Sequence, residues 1–493
     1  MSEVQSSSRP AGDPAHHGHS TATDSLRHER RSSLEHGLDL LSRAWTGFDV
    51  ARPTQPPVSA RTTNLLEGDL PSTGVGVTQA LNDAAAILDE SLAQSRPRFF
   101  GYVGSSGLES AVLADALAAS HDVNLAAESE AAHLVELQAL RWVGEFVGFP
   151  ASEGSFTSGG MLSNLTALMA ARTRALPDSR IVGLGQARPV VYCSAEAHSS
   201  IERAAELLGI GRAGVRSVPI DTNRRMRPDA LREMIDADLA AGFHPIAVVA
   251  TAGTTLTGSV DPIDAIADVC EPLSVWLHVD GAYGLPAAST SHARHLFQGL
   301  HRANSASLDA HKWMFIPKAC GVVLVRDKGA LGAAFRHDSA YMVEEEGYIH
   351  PVDGTLEYSR PFRSLKLWTA LRSHGADAFR AAITGNLLLA DLLVGLVRQQ
   401  PELELLVESP QLTVVPFRYV PADPNVDVDL LNMRLARAMQ ADGRVYVTSA
   451  VVDGRTCLRP CIVNFRTTED DIRALVSVAI ELGAQLSNSA AID

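Results

Sequence analysis

Short runs of β-branched and other apolar residues, separated by stretches long enough for helices, constrain this chain more than any other feature. Val190-Val191-Tyr192-Cys193, Ile246-Ala247-Val248-Val249-Ala250, Val275-Trp276-Leu277-His278-Val279 and Val322-Val323-Leu324-Val325 read as strands without a polar face. Helical segments fall between them, over residues 162–174 and 199–208. A strand that is apolar on both faces has to be covered on both. Strand–helix alternation supplies the covers, so the pattern predicts an α/β fold with a mostly parallel sheet. After about Phe362 a long helical stretch leads into a smaller α+β region, with strands expected over 412–419 and 459–464 and a last helix over 469–482. At the other end, residues 1–30 are polar and poor in aromatics, the composition of a disordered tail. Amphipathic helices are expected over 32–45, carrying Leu34, Leu38, Leu40 and Leu41, and over 76–92, with a link rich in proline (Pro53, Pro56, Pro57) between them. The expected organisation is a helical segment over 31–108, a large domain over 109–370 and a small domain over 371–493, without internal repeats.

At 493 residues and 46% apolar content the chain can bury a large core. A formal charge of −15 argues against nucleic acid or an anionic membrane as partner. No unbroken apolar run approaches the roughly 18–20 residues of a membrane span, and the first residues lack the apolar stretch of a secretory signal. The five cysteines (Cys193, Cys270, Cys320, Cys457, Cys461) form no CxxC pair or metal-ligand spacing, so reduced thiols in a cytoplasmic protein are expected. The 17 histidines show no HExxH spacing, and no metal site is expected.

Arginine carries nearly all the positive charge; the only lysines are Lys312, Lys318, Lys328 and Lys366. Lys312 stands in Ser307-Leu308-Asp309-Ala310-His311-Lys312-Trp313, ahead of an apolar strand. An amine, unlike a guanidinium, can deprotonate and form a Schiff base with an aldehyde. The plainer alternative is a surface lysine at a loop–strand boundary. Ligands of open α/β sheets bind beyond the carboxyl ends of the strands, and four more motifs fall at such ends. Thr157-Ser158-Gly159-Gly160 opens a helix whose first N–H groups, approached closely through glycine, suit a phosphate or are simply a tight turn. Asp280, in His278-Val279-Asp280-Gly281-Ala282-Tyr283, either caps a turn or holds a ring nitrogen protonated, with small Ala282 admitting a flat ring. His198, in Ala197-His198-Ser199-Ser200, is either an ordinary residue at a helix start or an imidazole laid over an aromatic cofactor. Thr251-Ala252-Gly253-Thr254-Thr255 offers hydroxyls that either form a turn or bind a ligand.

Taken together, a phosphate cradle, an acid for a ring nitrogen, a stacking imidazole and a Schiff-base lysine describe a site for pyridoxal 5′-phosphate. The absence of GxxxxGK[ST] and GxGxxG weighs against nucleotide cofactors. On these residues, with Phe99-Phe100-Gly101-Tyr102, Asn164-Leu165-Thr166-Ala167-Leu168 and Phe362-Arg363-Ser364-Leu365-Lys366, the chain resembles the group II pyridoxal-phosphate decarboxylases, the aromatic-L-amino-acid decarboxylase family. The resemblance covers about residues 96–481. It implies an aspartate-aminotransferase-like, fold type I architecture, with a mostly parallel seven-stranded sheet in the large domain and a small C-terminal α+β domain. By position, Lys312 would carry the Schiff base, Asp280 would pair with the ring nitrogen, and His198 and Ala282 would lie on opposite faces of the ring. Thr255 would bond near the ring substituents, while Gly160, Met161 and His311 would hold the phosphate. The family's mobile loop matches Asp338-Ser339-Ala340-Tyr341-Met342, which makes Tyr341 the proton donor to the α-carbon. Tyr102 and Arg459 fall on the substrate side. A homodimer with shared active sites is implied, the N-terminal helices packing on the partner.

Three departures from the family pattern stand out. Gly160-Met161-Leu162-Ser163 lacks the side-chain hydroxyl or acid that many relatives place there, leaving the phosphate to backbone donors. Asp309 stands where some members have asparagine, and is expected to point away from the phosphate or to be hydrogen-bonded. Val103, Gly104 and Ser105 are smaller than the aromatic and proline residues of the animal aromatic decarboxylases, which widens the substrate pocket. The implied reaction is decarboxylation of an aromatic or related L-amino acid to the amine and CO2. The alternatives are oxidative decarboxylation–deamination to an aldehyde, a carbon–carbon lyase or aminotransferase on the same fold, and a non-catalytic binding protein. Retention of Lys312, Asp280, His198 and Tyr341 together argues against the last.

Overall fold

The computed structural model describes residues 30–50, 57–104, 106–126, 129–337 and 351–490. Tyr341 and its loop, the first 29 residues, Pro53 and Pro56 lie outside the described residues. The chain divides into two compact units, Met1–Gly47 with Pro57–Ser91, and Phe48–Pro56 with Leu92–Asp493.

The smaller unit carries three helices, Arg30–Phe48, Ala60–Leu66 and Val77–Asp89. The first and last correspond to the two helices expected there. Ala60–Leu66 was not expected; its start is set by the Ser59 hydroxyl, which accepts the Thr62 N–H at 3.2 Å, satisfying one of the orphan donors of a helix start. The third helix begins only after Gly76, whose φ of +85° is a left-handed conformation that glycine adopts without a steric penalty.

The larger unit is built on a seven-stranded sheet with strands β1 (Glu153–Thr157), β2 (Pro189–Ser194), β3 (Val215–Val218), β4 (His244–Thr251), β5 (Trp276–Asp280), β6 (Ser305–Asp309) and β7 (Gly321–Val325). Their order is β1-β7-β6-β5-β4-β2-β3. β3, β2, β4, β5 and β6 run parallel, and β7 pairs antiparallel with both β6 and β1. β1 therefore runs in the same direction as β6, and only β7 is reversed. The sheet is the mostly parallel α/β arrangement read from the apolar runs. Three strands were not anticipated. β1 and β6 are rich in serine and small residues (Glu-Gly-Ser-Phe-Thr and Ser-Ala-Ser-Leu-Asp), and β3 is a short edge strand. Every residue of β6 is buried, so its hydroxyls have to find partners inside the protein.

The direction of the strands positions the site. The carboxyl ends of β1, β2, β4, β5 and β6 share one edge of the sheet and deliver Gly160, His198, Thr251, Asp280 and Lys312 to it. Helix Gly160–Ala175 follows β1 directly, and Ser200–Leu207 follows β2 after a short turn.

The C-terminal region forms a four-stranded sheet, order β10-β11-β9-β8, from β8 (Leu403–Leu405), β9 (Phe417–Tyr419), β10 (Ser449–Val452) and β11 (Arg455–Leu458). This corrects two expectations. The 412–419 stretch is a strand only at its end, and 459–464 is not a strand; Val414 and Cys461 make a lone bridge between them. Pro416 and Pro460 remove ladder donors in the two stretches. The missed elements are the short strand β8 and the β10–β11 hairpin, whose Asp453-Gly454 turn has φ of 50° and 75°, the two left-handed positions of a type I′ turn. Helices Val428–Asp442 and Glu469–Ala490 cover this sheet.

Helix Arg363–Arg398 is long and apolar enough for a membrane crossing by length and composition alone. It is, however, bent at Gly375, where φ is +75°. Leu367, Leu371, Phe379, Ile383 and Leu387 bury into the core of the large sheet, and Leu393 and Val397 into that of the small one, which is the packing of a core helix.

Candidate active site

A cavity of about 250 Å³ opens at the carboxyl edge of the large sheet. Tyr102, Gly160, Met161, His198, Thr255, Asp280, Ala282, Lys312 and Arg459 all line it, so nine of the residues singled out from the sequence meet in one place. A wider depression of about 610 Å³, bounded by Phe146, Phe297, Arg294 and Arg380, is reached by none of them.

Asp280, the last residue of β5, is buried. Its Oδ2 accepts from the Asn164 side-chain amide at 2.8 Å and its Oδ1 from the Ala282 N–H at 3.2 Å, which holds the carboxylate against the cavity wall. Two residues earlier on the same strand, His278 is completely buried; burial pushes its pKa down to about 4 against the opposing pull of Asp280, so this imidazole is neutral at pH 7. His198 follows the turn after β2 and accepts the Ser200 N–H on Nδ1 at 3.2 Å, which leaves the proton of the neutral ring on Nε2.

At the helix end of the cavity, Gly160 is there because nothing larger fits. A Cβ on it would sit 2.9 Å from the Ala282 Cβ and 3.1 Å from Asp309 Oδ2. His311 is not part of the cavity wall. It lies behind Gly159, where a Cβ would come within 3.4 Å of its Cε1, and its Nδ1 accepts the Cys320 N–H at 3.1 Å. Burial lowers the His311 pKa. Lys312 projects from the single turn Ala310–Trp313, and its Nζ lies 2.9 Å from Asp309 Oδ2. The Asp309 side chain is thus ion-paired, to the one lysine that lines the cavity. Its buried Oδ1 has no hydrogen-bond partner among the described residues.

Opposite the helix end, Arg459 is buried, its guanidinium donating to the carbonyls of Thr255 at 2.7 Å and Gly101 at 3.2 Å. Tyr102 and Val103 form the adjoining wall. Behind Tyr102, Phe99 and Tyr446 stack with ring centroids 5.0 Å apart and planes 9° from parallel. Burial and the Tyr102 hydroxyl push the Tyr446 phenol up to about 12. Thr255 is exposed and meets the cavity at its rim. Further residues that sequence reasoning did not assign to the site also reach it, Gly253 and Tyr283 among them. Asn164 and Ser200 line the cavity, and Thr251 presents a buried hydroxyl without a partner among the described residues. Asn164 stands four positions after Gly160, hence on the same face of the helix, and that spacing was the available signal.

These features suit pyridoxal 5′-phosphate. The gap between helix and β5 closes if Gly160 gains a Cβ, so it accepts only something thin. A carboxylate, an amine and an orphaned threonine hydroxyl converge on it, and helix Gly160–Ala175 offers the N–H groups of its first turn to an anion.

Comparison with known proteins agrees with the geometry. The pyridoxal-dependent decarboxylase conserved domain matches residues 59–420. An aromatic-L-amino-acid decarboxylase of Bacillus atrophaeus is 33% identical over 402 residues, covering 80% of this chain and 82% of that protein. An L-2,4-diaminobutyrate decarboxylase of Rhizobium meliloti (strain 1021) is 32% identical over 432 residues, covering 85% and 84%. The crystal structure of Oryza sativa TDC with PLP and tryptamine superposes with a TM-score of 0.86 at 26% identity, covering 94% of this chain and 98% of that one. Fold, cavity and sequence thus converge, and the chain belongs to the pyridoxal-dependent decarboxylase family, as a fold type I carboxy-lyase that uses pyridoxal 5′-phosphate.

Proposed function

We propose that the protein removes the α-carboxyl group of an aromatic L-amino acid, releasing the amine and CO2, and that it does so as a cytoplasmic homodimer. The aromatic wall carries this reading. Tyr102 and Val103 face the cavity, and the stacked Phe99 and Tyr446 back them, a surface that suits a flat apolar side chain. A cationic side chain such as that of 2,4-diaminobutyrate would need a carboxylate. The two carboxylates lining the cavity are already engaged, Asp280 by Asn164 and Ala282, Asp309 by Lys312.

When bound, the cofactor supplies an electron sink for the pair left behind as the carboxyl group departs. The chain's own residues do the rest. Lys312 would hold the cofactor through its amine, which Asp309 aims into the cavity. Asp280, buried at the cavity wall, would set its carboxylate against the ring nitrogen, where burial weakens screening by solvent. Ala282 and His198 bound the slot and orient what lies in it. Arg459, anchored on two carbonyls, gives a substrate carboxylate a fixed cation to align on. Tyr341 is proposed as the donor of the proton that replaces CO2 on the α-carbon.

Assaying CO2 release from tyrosine, tryptophan, phenylalanine, 2,4-diaminobutyrate and glutamate should give kcat/KM at least about tenfold higher for an aromatic substrate, the discrimination a single apolar pocket supplies. Preference for 2,4-diaminobutyrate would overturn the side-chain assignment. In air, with O2 as the two-electron oxidant reduced to H2O2, Tyr341→Phe should still release CO2 but yield aldehyde and ammonia at the expense of amine; an unchanged amine yield in air would remove Tyr341 from the chemistry. The dimer is supported by the smaller unit itself. Among its described side chains only Thr62 is buried, while Leu34, Leu66, Leu70 and Leu88 are exposed, too little burial for three helices to hold together alone. Light scattering should therefore give twice the 52.5 kDa of the chain, and an active monomer would contradict this.

A further inference from the structure

We propose that Asn164 is a positioning residue for the reaction: its side-chain amide fixes the direction and charge of Asp280 and the seat of His198, at the end of a one-way chain of hydrogen bonds that starts at Trp276. The direction of the chain follows from what each group can donate. The Trp276 indole can only donate, and gives its N–H to Ser305 Oγ at 2.8 Å. The Ser305 hydroxyl is then free to donate to His278 Nδ1, 2.8 Å away. A neutral His278 carries its single proton on Nε2 and donates it to Asn164 Oδ1 at 3.0 Å. Asn164 Oδ1 also accepts from Ser307 Oγ at 2.8 Å, and its Nδ2 donates to Asp280 Oδ2 at 2.8 Å and to Ser200 Oγ at 3.0 Å. Turning the amide over would set its oxygen against the Asp280 carboxylate, so the orientation is fixed and all four of its hydrogen-bonding positions are used.

Trp276, Ser305, His278, Asn164, Ser307 and Ser200 are all essentially buried, and in such surroundings successive bonds polarise one another toward the final acceptor, Asp280. Through Ser200, whose N–H holds His198 Nδ1, the same amide steadies the other ring-facing residue. The other titratable groups facing Asp280 are His278 on its own strand, Cys193 from β2, and His198, Tyr283, Asp309 and Lys312 around the cavity.

The inference rests on Asp280 meeting the cofactor's ring nitrogen. The experiment is titration of the apoenzyme with pyridoxal phosphate at pH 7, read by cofactor absorbance and tryptophan fluorescence. Asp280→Asn should raise the Kd for the cofactor about tenfold or more, and an unchanged Kd would overturn the Asp280 assignment itself. Asn164→Ser should raise the Kd about tenfold, the scale of one lost hydrogen bond to a charged group. His278→Phe should raise it less. His278→Gln, which can still accept from Ser305 and donate to Asn164, should restore it. An Asn164→Ser Kd equal to that of wild type, or His278→Gln behaving like His278→Phe, would overturn the positioning role. If Asn164→Ser does not fold, the histidine pair and nitrogen NMR of wild type decide: the proton of His278 is expected on Nε2 down to about pH 5, and a proton on Nδ1 would break the chain.

Discussion

Lys312→Ala is expected to lower kcat by about 10⁴-fold, the upper end of what one proton-transferring group contributes, while some cofactor stays bound through the helix end. Alanine also leaves Asp309 buried without its counter-ion, which costs up to about 3–5 kcal/mol when a buried pair is broken; the partial exposure of Lys312 places the expected loss at the lower end. Activity and stability would then fall together, and the alanine variant alone would not separate chemistry from support. Lys312→Arg separates them. The guanidinium keeps the charge beside Asp309 but does not deprotonate. Its melting temperature should stay within a few degrees of wild type while turnover is lost as fully as in the alanine variant. Appreciable turnover by Lys312→Arg would mean that the lysine serves only as a cation.

Asp280→Asn should fold normally and lose about 10²–10³-fold in kcat, the scale of one preorganised electrostatic partner removed from a buried site. The substitution is nearly isosteric, and the new amide can still turn its oxygen toward the Asn164 N–H that Asp280 now accepts. What disappears, together with the acceptor of the Ala282 N–H, is the negative charge. His278 does not replace it, being buried and neutral, and Asp309 is committed to Lys312. Steady-state kinetics with circular dichroism of the purified variant checks this, and turnover within a few-fold of wild type would contradict the role given to Asp280.

Much of this architecture was legible because the strands that carry the sheet are also its most apolar segments. β2, β4, β5 and β7 are buried, and their Val, Ile and Leu runs declare it. β6 escaped because Ser305 and Ser307 occupy interior positions where an apolar residue is the default, and they do so to serve His278 and Asn164. The β10–β11 hairpin was signalled by Asp453-Gly454, but its exposed residues lack an apolar stripe. The site was legible wherever a residue stands at a strand's carboxyl end, as Asp280, His198 and Gly160 do. Asn164 was not, because in a one-dimensional pattern it is a polar residue inside a helix. Its meaning appears only when β5 and β6 are folded against that face. The Asp309–Lys312 pair lies three residues apart in the sequence, yet spacing alone does not reveal that the carboxylate turns to the lysine.

Attachment of the cofactor to the Lys312 amine is read out by borohydride reduction of the holoenzyme, proteolysis and mass spectrometry of the peptides. A pyridoxyl-phosphate adduct is expected on the peptide containing His311-Lys312-Trp313. An adduct on Lys318, Lys328 or Lys366, with Lys312 unmodified, would contradict it.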